Sequence, residues 1–262
     1  LMYVARVSTE QGVFYGVVHG LDDNGIPTND TVVDLLKSHP YGELERADVV
    51  IPLGACKVLA PVIPSKVVCI GKNYADHARE MGGEAPAEPV IFIKPNTSVI
   101  GPNDPIHLPW QSERVDHEAE LGIVIGRIAR NVRREEALSY VLGYTLGNDV
   151  TARDLQQRDG QWTRAKGFDT FCPLGPWIVN DFDPSDKPIM CVVDGDVRQS
   201  ASTSDMIHDV ETVIEFVSGV MTLLPGDVIL TGTPAGIGPI TDGQSVTVSV
   251  QGLGALTNPV RA

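Results

Sequence analysis

Hydrophobic and polar positions alternate at both ends of the chain. "MYVARVS" (2–8) and "GVFYGVVHG" (12–20) flank Gln11-Gly12 and predict a β-hairpin. "TVVDLLKSHP" predicts a short helix that Pro40 ends. "KVVCIG" and "PVIFIKP" are unbroken apolar runs, the pattern of buried strands, closed by Gly71 and Pro95. Between them "NYADHAREMGG" predicts a helical turn stopped by Gly82-Gly83. "HEAELGIVIG" runs from Glu118 to Ile125 as a strand. A helix is expected within "NVRREEALSYVLGYTLGND", capped by Asn131 and ended at Gly143. A second is expected in "VTARDLQQRD", with Asn148 and Asp149 at its capping end. In "STSDMIHDVETVIEFVSGV", Met206, Val210, Val213 and Val217 recur at helical spacing with Ser204 as cap. "PGDVILTG", "GQSVTVSVQG" and "GALTNPVRA" follow as strands between Gly and Pro turns.

Short strands outnumber helices, and their order is irregular. The pattern predicts an α+β fold built on a mixed sheet, rolled or barrel-like, and not a doubly wound sheet. "APVIPSK" (60–66) marks a boundary between a small β-rich N-terminal subdomain, 1–60, and a main body, 61–262. There is no internal repeat and no low-complexity tract.

Composition narrows the function. The 262 residues hold 20 Lys and Arg against 34 Asp and Glu, a net charge of −14, which argues against a nucleic-acid or anionic membrane partner. Neither a run of about 18 apolar residues nor a signal-peptide pattern is present, so a cytoplasmic setting is expected. Cys56, Cys69, Cys172 and Cys191 are scattered without C-x-x-C spacing, the pattern of free thiols.

Glu118 and Glu120 raise a specific question. Residues two apart on a strand share a face, so two carboxylates stand side by side at the head of an apolar run. Their mutual repulsion is relieved by solvent, by a basic partner or by a metal ion. The spacing alone does not choose among these.

Four stretches in series, "DHEAELGIVIG", "GNDVTARDLQ", "AKGFDTFCPLGP" and "LLPGDVILTGTPAGIG", resemble the fumarylacetoacetate hydrolase family over about residues 66–262. The resemblance implies that the H-x-E-x-E carboxylates and the aspartate of N-D-x-x-x-R-D bind a divalent metal, here through Glu118, Glu120 and Asp149. The larger members' additional upstream aspartate has no clear counterpart, which places the chain with the shorter, three-ligand branch. An all-oxygen set suits Mg²⁺, or Mn²⁺, over Zn²⁺, and leaves about three of six positions for water or substrate.

The implied chemistry is metal-assisted C–C cleavage of a small anionic 2-oxo or 2,4-dioxo acid through an enolate, by acylpyruvate hydrolysis or oxaloacetate decarboxylation. The "NYADH" segment matches members that use a histidine–glutamate pair. Here His77 and Glu80 lie three apart, on one face of a helical turn. Lys166 matches a family lysine that faces the reacting carbonyl or carboxylate. Arg153 either clamps substrate or pairs with Asp149. Thr233, with the backbone of "TGTPAGIG", is a candidate carboxylate binder. Lys72 is a weaker candidate for the same anion, as is Lys94; both are expected in loops. His117 reads as packing behind the carboxylates. The family resemblance also implies a homodimer. Isomerisation of 2-hydroxyhepta-2,4-diene-1,7-dioate, or decarboxylation of its precursor, is the alternative reaction. A metal-binding member without catalysis is the alternative class.

Overall fold

A computed structural model describes all 262 residues. The hairpin Met2–Thr9 and Gly12–Leu21 forms around Gln11-Gly12 with Thr9 opposite Gly12. The Pro27–Leu36 and Arg46–Pro52 strands extend it. Met2–Thr9 also pairs with Cys172–Asn180, so these N-terminal strands continue the largest sheet of the protein. From Cys172–Asn180 that sheet runs through Val141–Asn148, Ala119–Ile125, Val228–Leu230 and Val67–Gly71 to Val90–Lys94. Its order begins at Arg46–Pro52 and ends at Val90–Lys94 without closing. The mixed sheet is therefore as expected, but no closed barrel is among the observed pairings.

A second sheet orders Asp196–Ser202, Pro188–Val193, Ser245–Val250, Gly254–Arg261 and Ile106–His107. A small third sheet holds Thr151–Ala152, Val115–His117 and Gly238–Pro239. Leu121, Ile123 and Ile125 bury one face of their strand in a cluster shared with Val246 and Val248 of the second sheet and Val213 and Val217 of a helix. Val124, on the opposite face, joins a second cluster with Cys69, Cys172 and Leu230. Each such side chain contributes about 1.5–3 kcal/mol by leaving water. Both faces of the Ala119–Ile125 strand are thus held, which fixes where its acidic head points.

Three local expectations are corrected. "TVVDLLKSHP" falls in the Pro27–Leu36 strand and the turn after it: Thr31, Val33 and Leu35 are buried at every second position, and the β-branched pair Val32-Val33 suits the pleat. "NVRREEALSYVLGYTLGND" gives only a 3₁₀ turn, Arg134–Tyr140, before the Val141–Asn148 strand begins. The best helix forms over Val210–Val220, but Asp209 caps it by accepting from the Thr212 N–H at 3.0 Å; Ser204 lies in a separate 3₁₀ turn. The turn helix Ala75–Glu80 forms where expected. Arg153–Asp159 is also helical, but Ala152 stands at its capping position, and neither Asn148 nor Asp149 caps it. All four cysteines are free. No helix is long and apolar enough to cross a membrane.

Candidate active site

The Val115–His117 and Ala119–Ile125 strands meet at Glu118, and Glu118 and Glu120 open onto one cavity. Asp149 follows the neighbouring Val141–Asn148 strand. Its N–H donates to the Glu118 carbonyl at 2.9 Å, and Ala119 sits opposite Asn148. This register brings the three carboxylates together. One oxygen from each lies within 4.8 Å of the others, and all three residues are buried.

Their electrostatic surroundings differ. Lys166 Nζ donates to Glu118 Oε2 at 2.9 Å and to Asp149 Oδ2 at 2.7 Å. Lys94 Nζ donates to Asp149 Oδ1 at 2.6 Å. Arg153 donates to Glu118 through one Nη, to Asp116 Oδ2 through Nε at 2.9 Å, and to Gln156 Oε1 at 2.7 Å. Burial pushes the Glu118 carboxyl up, but Lys166 and Arg153 outweigh it and hold the group below the usual carboxylate range. Glu120 has no cationic partner; it accepts from the Gly232 N–H at 2.8 Å. Burial, then the Asp149 and Glu118 carboxylates, push Glu120 well above the usual range. Burial lowers the Lys166 ammonium, but Asp149 and Glu118 more than reverse this.

Three buried carboxylates with one oxygen each within 4.8 Å of the others, one of them without a cationic partner, fit a hard divalent cation. The donor set contains no imidazole or thiolate, which disfavours a softer metal. Gly232, at φ +100°, makes the approach to Glu120 possible: a Cβ there would lie 2.7 Å from Asn73 Cβ.

His77 lines the same cavity, and its Nδ1 lies 3.1 Å from Glu80 Oε2. Glu80 also accepts from the Gly236 N–H, which ties the Ala75–Glu80 helix to the "TGTPAGIG" loop. Lys72, at φ 57°, and Thr233 complete the predicted lining, and Met81 and Trp162 stand with them. The cavity is partly open to solvent and holds about 30 Å³ of space for water-sized ligands.

Two expectations about the basic residues are revised. Arg153 does not pair with Asp149. Its helix starts beside the Val115–His117 strand, where Val115 opposes Ala152, and this aims the guanidinium at Asp116 and Glu118. Lys94 is not in a loop; it ends the Val90–Lys94 strand, fully buried against Asp149. His117 is buried with Nδ1 on Gln199 Oε1 at 3.1 Å. Asp116, Gln156 and Gln199 were not singled out by the sequence. Asp116 flanks the H-x-E-x-E motif, and Gln156 lies one helical turn from Arg153. Gln199, on a strand of the second sheet, carries no local signal.

The model of the fumarylacetoacetate (FAA) hydrolase C-terminal domain matches residues 66–261. The chain belongs to the fumarylacetoacetate hydrolase family. A second model, Rv2993c-like N-terminal, matches residues 2–61. Protein Rv2993c of Mycobacterium tuberculosis is 54% identical over 262 residues, covering 99% of this chain and 98% of the relative. The mitochondrial oxaloacetate tautomerase fahd2 of Xenopus laevis is 44% identical over 216 residues, covering 78% of this chain and 68% of the relative. Among solved structures, 5-carboxymethyl-2-hydroxymuconate delta-isomerase from Mycobacterium smegmatis superposes with a TM-score of 0.93 at 50% identity, covering 99% of each chain. Fumarylpyruvate hydrolase from Pseudomonas aeruginosa, in complex with Mn²⁺ and pyruvate, superposes with a TM-score of 0.73 at 34% identity, covering 78% of this chain and 91% of that one. Family relatives are thus enzymes of several reaction types: hydrolase, isomerase and tautomerase.

Proposed function

We propose that the protein is a divalent-metal-dependent enzyme that cleaves a C–C bond in a small 2-oxo or 2,4-dioxo acid. Glu118, Glu120 and Asp149 would hold the ion. The observation that carries the reading is the convergence of this buried carboxylate triad, His77 with Glu80 behind it, Lys166 and Thr233 on one cavity. The Mn²⁺ and pyruvate of the Pseudomonas aeruginosa relative support both the ion class and the ligand class.

A bound Mg²⁺ or Mn²⁺ supplies Lewis acidity toward the 2-oxo and carboxylate oxygens of the substrate. The chain's own groups do the rest. Glu80 accepts the Nδ1 proton of His77, which leaves Nε2 free to take a proton from water. In hydrolysis that water attacks the C4 carbonyl, the C3–C4 bond breaks, and C3 takes up a proton. Lys166 sits beside two carboxylates and stays protonated, so it can donate to oxygen as negative charge develops. Arg153 holds Glu118 in place and adds positive charge behind it. Thr233 and Lys72 serve the substrate carboxylate. In decarboxylation carbon dioxide leaves and no water attack is needed. We extend the reading to a homodimer in the cytoplasm, with light scattering as the check on assembly.

Isomerisation of a hydroxyhepta-diene-dioate is a second reading, favoured by the 2-hydroxyhepta-2,4-diene-1,7-dioate isomerase of Mycobacterium marinum, 50% identical over the whole of this chain with a TM-score of 0.92. It uses the same ion and a proton shuttle without water attack. The deciding experiment gives EDTA-stripped and Mg²⁺-loaded protein a panel of oxaloacetate, acetylpyruvate, fumarylpyruvate and the heptadiene dioate, followed by ultraviolet absorbance. Metal-dependent loss of acylpyruvate or oxaloacetate supports cleavage. Turnover of the dienoate alone favours the second reading, and turnover of none removes both.

A further inference from the structure

We infer that Gln199 is a positioning residue that fixes the direction of the Thr233 hydroxyl, so that the site offers a carboxylate a proton and not a lone pair. The inference rests on the reading of the site as one for 2-oxo acids. Gln199 comes from the Asp196–Ser202 strand of the second sheet and is buried, and its carboxamide makes four contacts. Oε1 lies 3.0 Å from the Ala119 N–H and 3.1 Å from His117 Nδ1. Nε2 lies 2.7 Å from the Pro234 carbonyl and 2.7 Å from Thr233 Oγ1.

Two of these contacts admit only one polarity. A backbone N–H can only donate, and a carbonyl can only accept. The Ala119 N–H therefore sets Oε1, and the Pro234 carbonyl sets Nε2; the amide cannot be flipped. Two consequences follow. His117 must carry its proton on Nδ1, to donate to Oε1. Thr233 Oγ1 must accept from Nε2. The Thr233 hydroxyl proton then has no acceptor in the protein, and its residue lines the cavity beside Glu120 and Lys166. A ligand carboxylate placed there receives that proton. With the opposite polarity it would meet oxygen lone pairs. The strand bearing Glu118 and Glu120 thus sets, through Ala119 and Gln199, the donor character of a residue more than a hundred positions later.

The test measures oxalate binding to Mn²⁺-loaded protein by calorimetry. Thr233→Val should weaken oxalate about tenfold to hundredfold, the range for a hydrogen bond to a charged group, while Thr233→Ser stays within about threefold. Gln199→Met should weaken it by at least about fivefold. The double variant should bind no more weakly than Thr233→Val alone, because Gln199 acts through that hydroxyl. Additive losses, or no loss in Gln199→Met, overturn the inference and leave the 2-oxo acid reading intact. Absence of oxalate binding to the wild-type, Mn²⁺-loaded protein overturns both. If Gln199→Met does not fold, a long-range ¹H–¹⁵N spectrum of the wild type decides: a proton on His117 Nδ1 is expected, and a proton on Nε2 refutes the polarity.

Discussion

Replacing Glu120 by Gln tests the charge argument at its centre. Glu120 is the only carboxylate of the triad without a cationic partner, and the protein pushes its carboxyl well above the usual range. An amide of the same shape can still accept from the Gly232 N–H through its oxygen. Its NH₂ can donate toward the neighbouring carboxylates, and hydrogen bonds to charged groups are worth about 1.5–3 kcal/mol. In metal-free protein the variant should therefore be more stable by about 2 kcal/mol. At about 2–4 °C per kcal/mol for a chain of this size, that is a Tm rise of about 4–8 °C. Mg²⁺ reverses the order. At about 100 times its Kd an ion stabilises the wild type by about 2.7 kcal/mol, or about 5–10 °C, whereas the variant has lost a ligand and gains little. Thermal melts of both proteins in EDTA and in Mg²⁺ should thus cross. A stripped variant that melts below the stripped wild type, or that keeps the full Mg²⁺ shift, would refute the reasoning.

Other outcomes follow from the same geometry. His77→Ala should lower kcat for acylpyruvate hydrolysis about 10²–10⁴-fold while Mg²⁺ still raises Tm; full retained hydrolysis would show that His77 does not activate water. Gly232→Ala should destabilise the protein by about 2 kcal/mol or more and weaken Mg²⁺ binding, because its φ is +100° and its Cβ would meet Asn73; an unchanged urea midpoint would contradict this. Burial pushes the Asp227 carboxyl up, but Lys66, Ser65 and the Leu224 N–H outweigh it and hold it below the usual range. A depressed folded pKa means that its stabilisation is present above the unfolded value near 4 and is lost as pH falls through the folded one. Asp227→Asn should therefore cost about 3 kcal/mol at pH 7, and the gap to wild type should narrow by pH 3 in urea melts; a gap independent of pH would remove the ion pair as its cause.

The parts of this molecule legible in its sequence are those whose signal is local. The Glu118/Glu120 pair is set by the period of a strand, and His77 and Glu80 by one turn of helix. Glu118, Glu120 and His77 line one cavity, and Glu80 stands against His77 without lining it. The basic groups were harder. Lys94 and Asp149 lie 55 residues apart and meet only because strands from separate segments converge. Sequence distance leaves Arg153 open between clamping substrate and pairing with Asp149, whereas strand pairing turns it toward Asp116. Locally, "TVVDLLKSHP" reads as a short helix ended by Pro40, but its Thr31–Leu36 part is strand. Pairing with its neighbours on both sides settled it as a strand.

The lysine bridging Glu118 and Asp149 bears on how such a protein is made. Its ammonium, with those of Lys94 and the Arg153 guanidinium, already occupies the field that would otherwise drive these acids apart. On the proposed function, the chain would therefore fold before its ion arrives and take the ion up afterwards. Loading would then be a late, reversible event governed by supply.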